Sequence, residues 1–395
     1  MSRIIKLSVA AAFLALGGSL VAQSQDISFS SVDLLKTPKD VYVGEVAGVG
    51  ANSKGEIYVY TRTGHPYATI GDNRTFSHGG SRLFIFDRNG NFVREWGQDV
   101  YGFNAAIGLR VDPQDNVWTI DVAANQVVKF NADGSIGLVL GRKPEAIGVR
   151  PAGAPGGGGG EGRGGGGGAG AGAGGGAGAG AGAGGGPPQT AGPVGGAGGG
   201  GGFGGGQAGR APGSGIPGSG FNRPTDVAWD KAGNIYVADG IGTNNRVAKF
   251  DKDGKFITHW GSTGTGPGQF TGVKALAVSN AGDVYVLDAG NKRIQVFDGE
   301  GKFKSEFGNV GSPLTMCMTR GATQYLFISH AGDEDGMEDA AIYKTTLDGK
   351  VVGKFGSAGK QIKEFGLANS IDCRDENNLL IGEMTNWRVQ RVTLK

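Results

Sequence analysis

The chain has 395 residues, of which 38 are Lys or Arg, 36 are Asp or Glu and 81 are Gly. This length allows one large domain or two ordinary ones, and the near balance of charge gives no general attraction to nucleic acid or anionic lipid. With only two cysteines the chain is not a disulfide-rich scaffold, so a buried core must hold the fold.

The N-terminal segment, residues 1–22, has the three parts of a secretory signal peptide. Arg3 and Lys6 form a basic start, an apolar run covers residues 7–16, and small residues lead to Ala22. An uncleaved membrane anchor is the alternative, although the apolar run is short for a spanning helix. We expect a secreted or periplasmic protein that is cleaved near Ala22 and has no later transmembrane segment. Cleavage removes two basic residues, so the mature chain has 36 basic and 36 acidic residues.

The chain that follows repeats a unit of four short predicted strands. Two copies match closely: residues 234–239 and 283–288 are both Asn/Asp-Ile/Val-Tyr-Val-x-Asp, and each precedes an Arg-x-x-x-Phe-Asp segment. The two copies are roughly 50 residues apart, within the range of propeller blades. Weaker copies raise the number of units to about six, with second strands at residues 56–61, 116–121, 325–328 and 378–381.

These repeats predict an all-β fold, a six-bladed β-propeller. β-Branched and aromatic residues alternate between Asn-Gly and Asp-Gly turns, and no long window has an apolar stripe of helical period. The last unit stops at Lys395 after its third strand, while residues 27–35 have strand character and precede the first unit. We therefore expect the N-terminal strand to close the ring as the outer strand of the last blade.

A glycine-rich insertion separates the second unit from the third. Its Gly-Ala runs bury little surface and lose much backbone entropy on ordering, which predicts disorder. A passive loop and a segment that mediates assembly are both open interpretations. The predicted organisation is a signal peptide at 1–22, the closing strand with blades 1–2 at 23–149, the insertion at 150–220 and blades 3–6 at 221–395.

Three long loops are predicted on one face of the propeller. The insertion connects a fourth strand to the next first strand, and residues 62–80 and 330–339 connect second strands to third strands. In a four-stranded meander these two kinds of loop emerge on the same face. Because function is usually carried on loops that a rigid scaffold presents, this face is the predicted binding face.

The blade consensus resembles NHL repeats, as in residues 288–298. Within that class the chain looks most like the lyase that cleaves peptidyl-α-hydroxyglycine to leave an amidated peptide. The similarity covers nearly all of the chain outside the signal and the insertion, and its most specific segments are residues 117–122, 125–130, 140–141, 221–228 and 237–240. The resemblance implies three zinc-binding histidines near the starts of inner strands and structural calcium on channel carbonyls.

The positions that this resemblance assigns to the histidines hold Ile107, Lys274 and Asn369. Isoleucine cannot bind zinc, and a lysine places a cation where the metal belongs, whereas zinc sites need imidazole, thiolate or carboxylate donors. The family's active-site tyrosine falls near Ile241, while one family arginine is matched at Arg62. We therefore expect no zinc, and we leave structural calcium open.

Other polar residues could line the same face. Together with the positions above, they make eight candidates for ligand binding: Arg62, His65, Asp121, Asp239, Arg246, Lys274, Asp288 and Asn369. The alternative for the aspartates is that they cap tight turns through backbone amides. His65 shares a loop with His78, but the spacing matches no metal-ligand motif. The acidic segment 333–339 offers oxygen donors for calcium without the full calcium-loop pattern.

The two cysteines, Cys317 and Cys373, are predicted on the inner strands of neighbouring blades. An exported protein could join them in a disulfide, and two buried thiols are the alternative.

The leading functional hypothesis is an exported propeller, not an enzyme, that binds a peptide, a protein or a small ligand on the insert-bearing face. The competing hypothesis is a divergent amidating lyase that uses a metal in the central channel. RNA binding is disfavoured by the neutral mature charge and by export.

Overall fold

The computed structural model describes residues 25–63, 67–70, 74–77, 80–98, 100, 102–141, 220–241, 243–330 and 340–395. These residues form β-strands and turns without an α-helix. Within them no helix is long and apolar enough to cross a membrane. The predicted signal peptide lies outside the described residues, and so does the predicted insertion except for Gly220.

Six antiparallel sheets of four strands form the blades of a β-propeller, as the repeats predicted. The strands of each blade are given from the inner to the outer strand. The first blade consists of β2 (Glu45–Ala51), β3 (Ile57–Arg62), β6 (Ser81–Phe86) and β7 (Phe92–Trp96), and the second of β8 (Ala106–Val111), β9 (Val117–Asp121), β10 (Gln126–Phe130) and β11 (Ile136–Gly141). The third blade consists of β12 (Pro224–Trp229), β13 (Ile235–Asp239), β14 (Arg246–Phe250) and β15 (Phe256–Trp260).

The other three blades follow the same order. The fourth blade consists of β18 (Val273–Val278), β19 (Val284–Asp288), β20 (Arg293–Phe297) and β21 (Phe303–Phe307), and the fifth of β22 (Pro313–Met318), β23 (Tyr325–His330), β24 (Ile342–Thr346) and β25 (Val351–Phe355). The sixth blade consists of β28 (Ala368–Asp375), β29 (Asn378–Glu383), β30 (Arg388–Leu394) and β1 (Phe29–Asp33). Three two-stranded pairs lie in loops: β4 (Tyr67–Ile70) with β5 (Arg74–Ser77), β16 (Ser262–Thr263) with β17 (Gln269–Phe270), and β26 (Ser357–Ala358) with β27 (Glu364–Phe365).

Burial along a blade explains its sequence pattern. The second strand of the fourth blade, β19, is buried at all five positions because neighbouring blades cover both of its faces. An outer strand such as β15 alternates between half-buried and exposed positions, since only one of its faces packs inward. The core is therefore a series of apolar layers between adjacent blades.

The inner strands form a closed ring around a central channel. Each inner strand packs against the next, and β28 of the sixth blade packs against β2 of the first. Closure is completed by β1, which pairs antiparallel with β30 from Phe29–Leu394 to Asp33–Gln390. The predicted closing role of the N-terminal strand is confirmed.

The two cysteines form a disulfide, Cys317–Cys373, with Cα atoms 5.9 Å apart. They lie on β22 and β28, the inner strands of neighbouring blades, as expected, and the bond resolves the two alternatives that the sequence left open. It joins the fifth and sixth blades covalently beside the channel.

Candidate functional site

All six inner strands carry a β-bulge at the same place, close to the end where the strand begins. A bulge inserts one extra residue and re-aims its side chain, and bulges are frequent beside active sites. The six inserted residues, which we call the bulge ring, are Ala47, Ile107, Thr225, Lys274, Leu314 and Asn369. We call this end of the channel the upper mouth and the other end the lower mouth.

The bulge ring brings together positions far apart in the sequence. Ile107, Thr225, Lys274, Leu314 and Asn369 line one small cavity in the upper mouth. Asn369 Nδ2 donates to the carbonyl oxygens of Ala47 and Ile107, both at 2.8 Å, and so links three blades. The three positions that the resemblance assigned to zinc ligands therefore do converge.

Lys274 is the charged member of the bulge ring, and it is partly buried. Within the described part of the chain, no hydrogen bond or ion pair neutralises its ammonium group. Burial lowers the pKa of Lys274 below its ordinary value, and the guanidinium charges of Arg223 and Arg62 lower it further. Among the described residues, this cation of the upper mouth has no counter-ion.

Two arginines extend this positive charge. Arg62, at the end of β3, donates from Nε to the Ala106 carbonyl at 2.6 Å, and its Nη1 lies 3.7 Å from Glu45 Oε2. Burial lowers the pKa of Arg62, although Glu45 opposes the shift. Arg223 precedes β12 and is exposed. Within the described ranges, the ion pair found for these three cations is that of Arg62 with Glu45, at 3.7 Å, and the charge of Asp121 also opposes the lowering of the Arg62 pKa.

A buried ion pair crosses the channel below the bulge ring. The guanidinium of Arg110 binds both carboxylate oxygens of Asp226, at 2.8 and 2.7 Å. It also donates to the carbonyls of Met316 at 2.7 Å and Ile371 at 3.3 Å, while Asp226 accepts from Leu276 N at 3.1 Å. Burial opposes the charge on Arg110, but Asp226 outweighs this and raises the pKa. The pair connects five inner strands and separates the two mouths.

The zinc implied by the resemblance does not fit these residues, and structural calcium stays a prediction. The zinc positions offer an isoleucine, a lysine and an amide, which are not the imidazole, thiolate or carboxylate donors that zinc requires. The carbonyls of Met316 and Ile371, which face the channel as calcium ligands would, already accept from Arg110.

The aspartates predicted to ring the face are engaged inside the fold. Asp239 accepts from Asn222 N at 2.7 Å and from Arg246 Nε at 3.0 Å. Asp288 accepts from Thr271 N at 2.7 Å, and Asp121 accepts from four further backbone amides. Each carboxylate ties a fourth-to-first loop to the end of a second strand. These contacts favour the turn-capping interpretation, and ligand binding by Asp121, Asp239, Arg246 and Asp288 stays a prediction.

Some candidates lie outside the described residues. These are His65 and His78, the acidic segment 333–339, and the predicted insertion 150–220 except for Gly220. The described strands on either side place the loop connections as predicted: β11 ends and β12 begins at the upper mouth, where β3 and β23 also end.

Sequence reasoning missed Arg110, Asp226 and Arg223. The sequence does contain a signal for a buried ion pair at Arg110 and Asp226, because each is a charged residue inside an inner strand. Charged side chains at such positions are rarely buried unless they are paired. Nothing in the sequence showed that these two would meet. Arg223 precedes its strand at a positive φ of 65°, a conformation that sequence alone did not indicate.

Comparison with known proteins agrees with this architecture. A family profile described as a 6-bladed beta-propeller matches residues 221–374. NHL repeat-containing protein 3 of Homo sapiens is 39% identical over 73 residues, which cover 18% of this chain and 21% of the human protein.

Longer alignments connect the chain to amidating enzymes. Peptidylglycine alpha-amidating monooxygenase of Rattus norvegicus is 24% identical over 251 residues, covering 60% of this chain and 18% of the rat protein. Peptidyl-alpha-hydroxyglycine alpha-amidating lyase 1 of Drosophila melanogaster is 26% identical over 234 residues, covering 56% of this chain and 30% of the fly protein. The chain thus spans less than a third of these relatives' length.

Solved structures share the fold at low sequence identity. A gluconolactonase from Xanthomonas campestris superposes with a TM-score of 0.53 at 14% identity, covering 94% of this chain and 95% of that one. A Bacteroides thetaiotaomicron protein of unknown function gives 0.52 at 12% identity, covering 94% and 77%. At such identities the likeness concerns the fold alone.

Proposed function

Because this chain is an NHL-repeat β-propeller related to the peptidyl-α-hydroxyglycine α-amidating lyases, we propose that it is an exported, non-catalytic scaffold that binds a carboxylate-bearing ligand in its upper mouth. The observation that carries the proposal is Lys274, a partly buried ammonium group without a protein counter-ion in the described structure. Burying an unpaired charge costs stability, and a ligand carboxylate would supply the missing partner.

The neighbouring groups support an anion rather than a cation or a metal. Arg62 and Arg223 add two positive charges, and Asn369 adds an amide that can orient a polar group. Asn369 is already held by two carbonyls, so the amide is positioned in advance of any ligand. The long loop connections that begin and end at this mouth could present further contacts to a peptide.

Titration of two matched peptides tests the proposal. We expect N-acetyl-phenylalanylglycine with a free carboxylate to bind about tenfold more tightly than its C-terminal amide, since a charge-assisted contact contributes roughly 1.4 kcal/mol or more. Lys274→Met should abolish this preference, whereas Lys274→Arg should keep part of it. Calorimetry on the full mature chain measures both; equal binding of acid and amide by the wild-type protein would contradict the proposal.

Lys274 should also lower the stability of the folded protein at neutral pH. Its lowered pKa means that the unfolded chain binds more protons than the folded one between the lowered value and the ordinary 10.5. The cost of the buried charge is therefore largest below that window and vanishes above it. We expect Lys274→Met to raise Tm at pH 7 by a few degrees, for roughly 0.5–2 kcal/mol.

The exposed Lys255 provides the control for this measurement. Lys255→Met should change stability by less than about 0.5 kcal/mol. Thermal melts at pH 7 and pH 10.5 should show a larger gain from Lys274→Met at pH 7 than at pH 10.5. A loss of stability at pH 7 would mean that the ammonium group has an internal partner.

The alternative proposal is a divergent lyase, and the alignments with amidating enzymes over more than half of the chain favour it. This hypothesis predicts stoichiometric zinc in the purified protein and amidating-lyase activity that chelation removes. Metal analysis together with an activity assay separates the two proposals, because a carboxylate-binding scaffold would show neither property.

A further inference from the structure

The lower mouth of the channel contains a cavity that the sequence did not indicate. Its volume is about 340 Å³, and it lies between the ends of the inner strands, below the Arg110–Asp226 pair. A cavity of this size falls within the range of small-molecule sites. None of the ligand candidates that the sequence identified lines it.

The walls of this cavity combine apolar and cationic groups. Val278, Met318 and Trp229, which are only partly buried, contribute apolar surface, and Arg320 and Arg374 contribute guanidinium groups. Trp229 is held against Trp118, with ring centroids 5.3 Å apart. Small-molecule sites commonly have this composition, an apolar wall with a few converging polar groups.

The two arginines converge on one backbone carbonyl. Arg320 Nη2 donates to the Val111 oxygen at 2.9 Å, and Arg374 Nη2 donates to the same oxygen at 3.4 Å. Each guanidinium has five N–H donors, so most of this capacity is unused by those bonds. The buried Nε of Arg374 has no hydrogen-bond partner in the described structure.

The charge of this pair is only partly compensated. Asp115 lies 3.7 Å from Arg374 Nη1. The carboxylate oxygens of Asp372 accept hydrogen bonds from the backbone amides of Ala51, at 2.6 Å, and Arg374, at 2.9 Å. Although Arg320 is exposed, desolvation by the channel wall and the charge of Arg374 lower its pKa, and these acids only moderate the shift.

We propose that the lower mouth is a second binding site, for a small organic anion whose carboxylate pairs with Arg320 and Arg374 and whose apolar body packs on Val278, Met318 and Trp229. Paired guanidinium groups suit a carboxylate because they can donate parallel hydrogen bonds. The site is independent of the proposed function, since the Arg110–Asp226 pair separates it from the upper mouth.

Binding of 2-naphthoate, compared with the uncharged 2-naphthamide, tests this site by calorimetry on the full mature chain. We expect 2-naphthoate to bind at least about tenfold more tightly than the amide, as charge-assisted pairing predicts. Arg320→Gln and the double variant Arg320→Gln/Arg374→Gln should remove that difference. Arg320 is exposed, so the single variant keeps the test valid if the double variant fails to fold.

Lys274→Met is the matched control at the other mouth. It should leave 2-naphthoate binding unchanged, and Arg320→Gln should leave the peptide preference of the upper mouth unchanged. Equal affinity for naphthoate and naphthamide, or loss of naphthoate binding in Lys274→Met alone, would overturn the lower site. Failure of the peptide experiment alone would overturn only the proposed function.

Discussion

Arg110→Met is expected to lower the free energy of unfolding by about 3–5 kcal/mol, the usual cost of removing one partner from a buried ion pair. The substitution leaves the Asp226 carboxylate buried without its counter-ion, and it frees the carbonyls of Met316 and Ile371 at once. Because these groups belong to different blades, the loss should appear as destabilisation of the whole propeller. Denaturant unfolding followed by tryptophan fluorescence measures it.

Two controls separate this pair from ordinary surface charge. Lys252 and Asp253 form an exposed ion pair, and Lys252→Met should cost less than about 1 kcal/mol. The double variant Arg110→Met/Asp226→Leu should recover part of the loss, since it removes the unpaired charge. A loss below about 1 kcal/mol for Arg110→Met would show that the channel does not depend on this pair.

Gly90→Ala is expected to destabilise the protein more than the same change at Gly282. Gly90 ends a turn between a third and a fourth strand, and Gly282 ends a turn with the same hydrogen bond between a first and a second strand. Their φ angles are +81° and +89°, so both substitutions carry a left-handed strain of roughly 1–2 kcal/mol. A Cβ at position 90 would also lie 1.9 Å from the Leu34 carbonyl oxygen, whereas nothing lies within 4 Å at position 282. The difference between the two variants measures the contact with the N-terminal segment.

This contact matters because the N-terminal segment joins three blades. Ile27 N donates to the Lys354 carbonyl of the fifth blade at 2.8 Å, and Leu34 N donates to Val389 of the sixth at 2.9 Å. In the first blade, the backbone N–H of Lys36 donates to the Gly90 carbonyl at 2.7 Å, and the Lys36 carbonyl accepts from Phe92 N at 3.1 Å. Deletion of residues 23–36 should therefore lower Tm by about 10 °C or more, because in a domain of this size each kcal/mol of unfolding free energy that is lost lowers Tm by roughly 2–4 °C. Unchanged melting would refute the closing role.

The repeat pattern was sufficient for the fold because its signals are local. Alternating residues and Asp-Gly or Asn-Gly turns occur within each unit, and the missing fourth strand of the last unit pointed to the N-terminus as the source of β1. The candidate site was predicted less completely. Lys274, Asn369 and Arg62 were identified through the family resemblance, while the aspartates of the second strands proved to hold loops within the fold.

The sequence alone determined the architecture: six repeated units, their four strands, the closing strand and the position of the glycine-rich insertion. Only the tertiary structure decided the content of the channel. The bulge ring, the Arg110–Asp226 pair and the convergence of Arg320 with Arg374 depend on where six separate strands meet. The physical reason is that strand patterning acts between near neighbours, whereas the partners of a buried charge are set by how the blades close on one another.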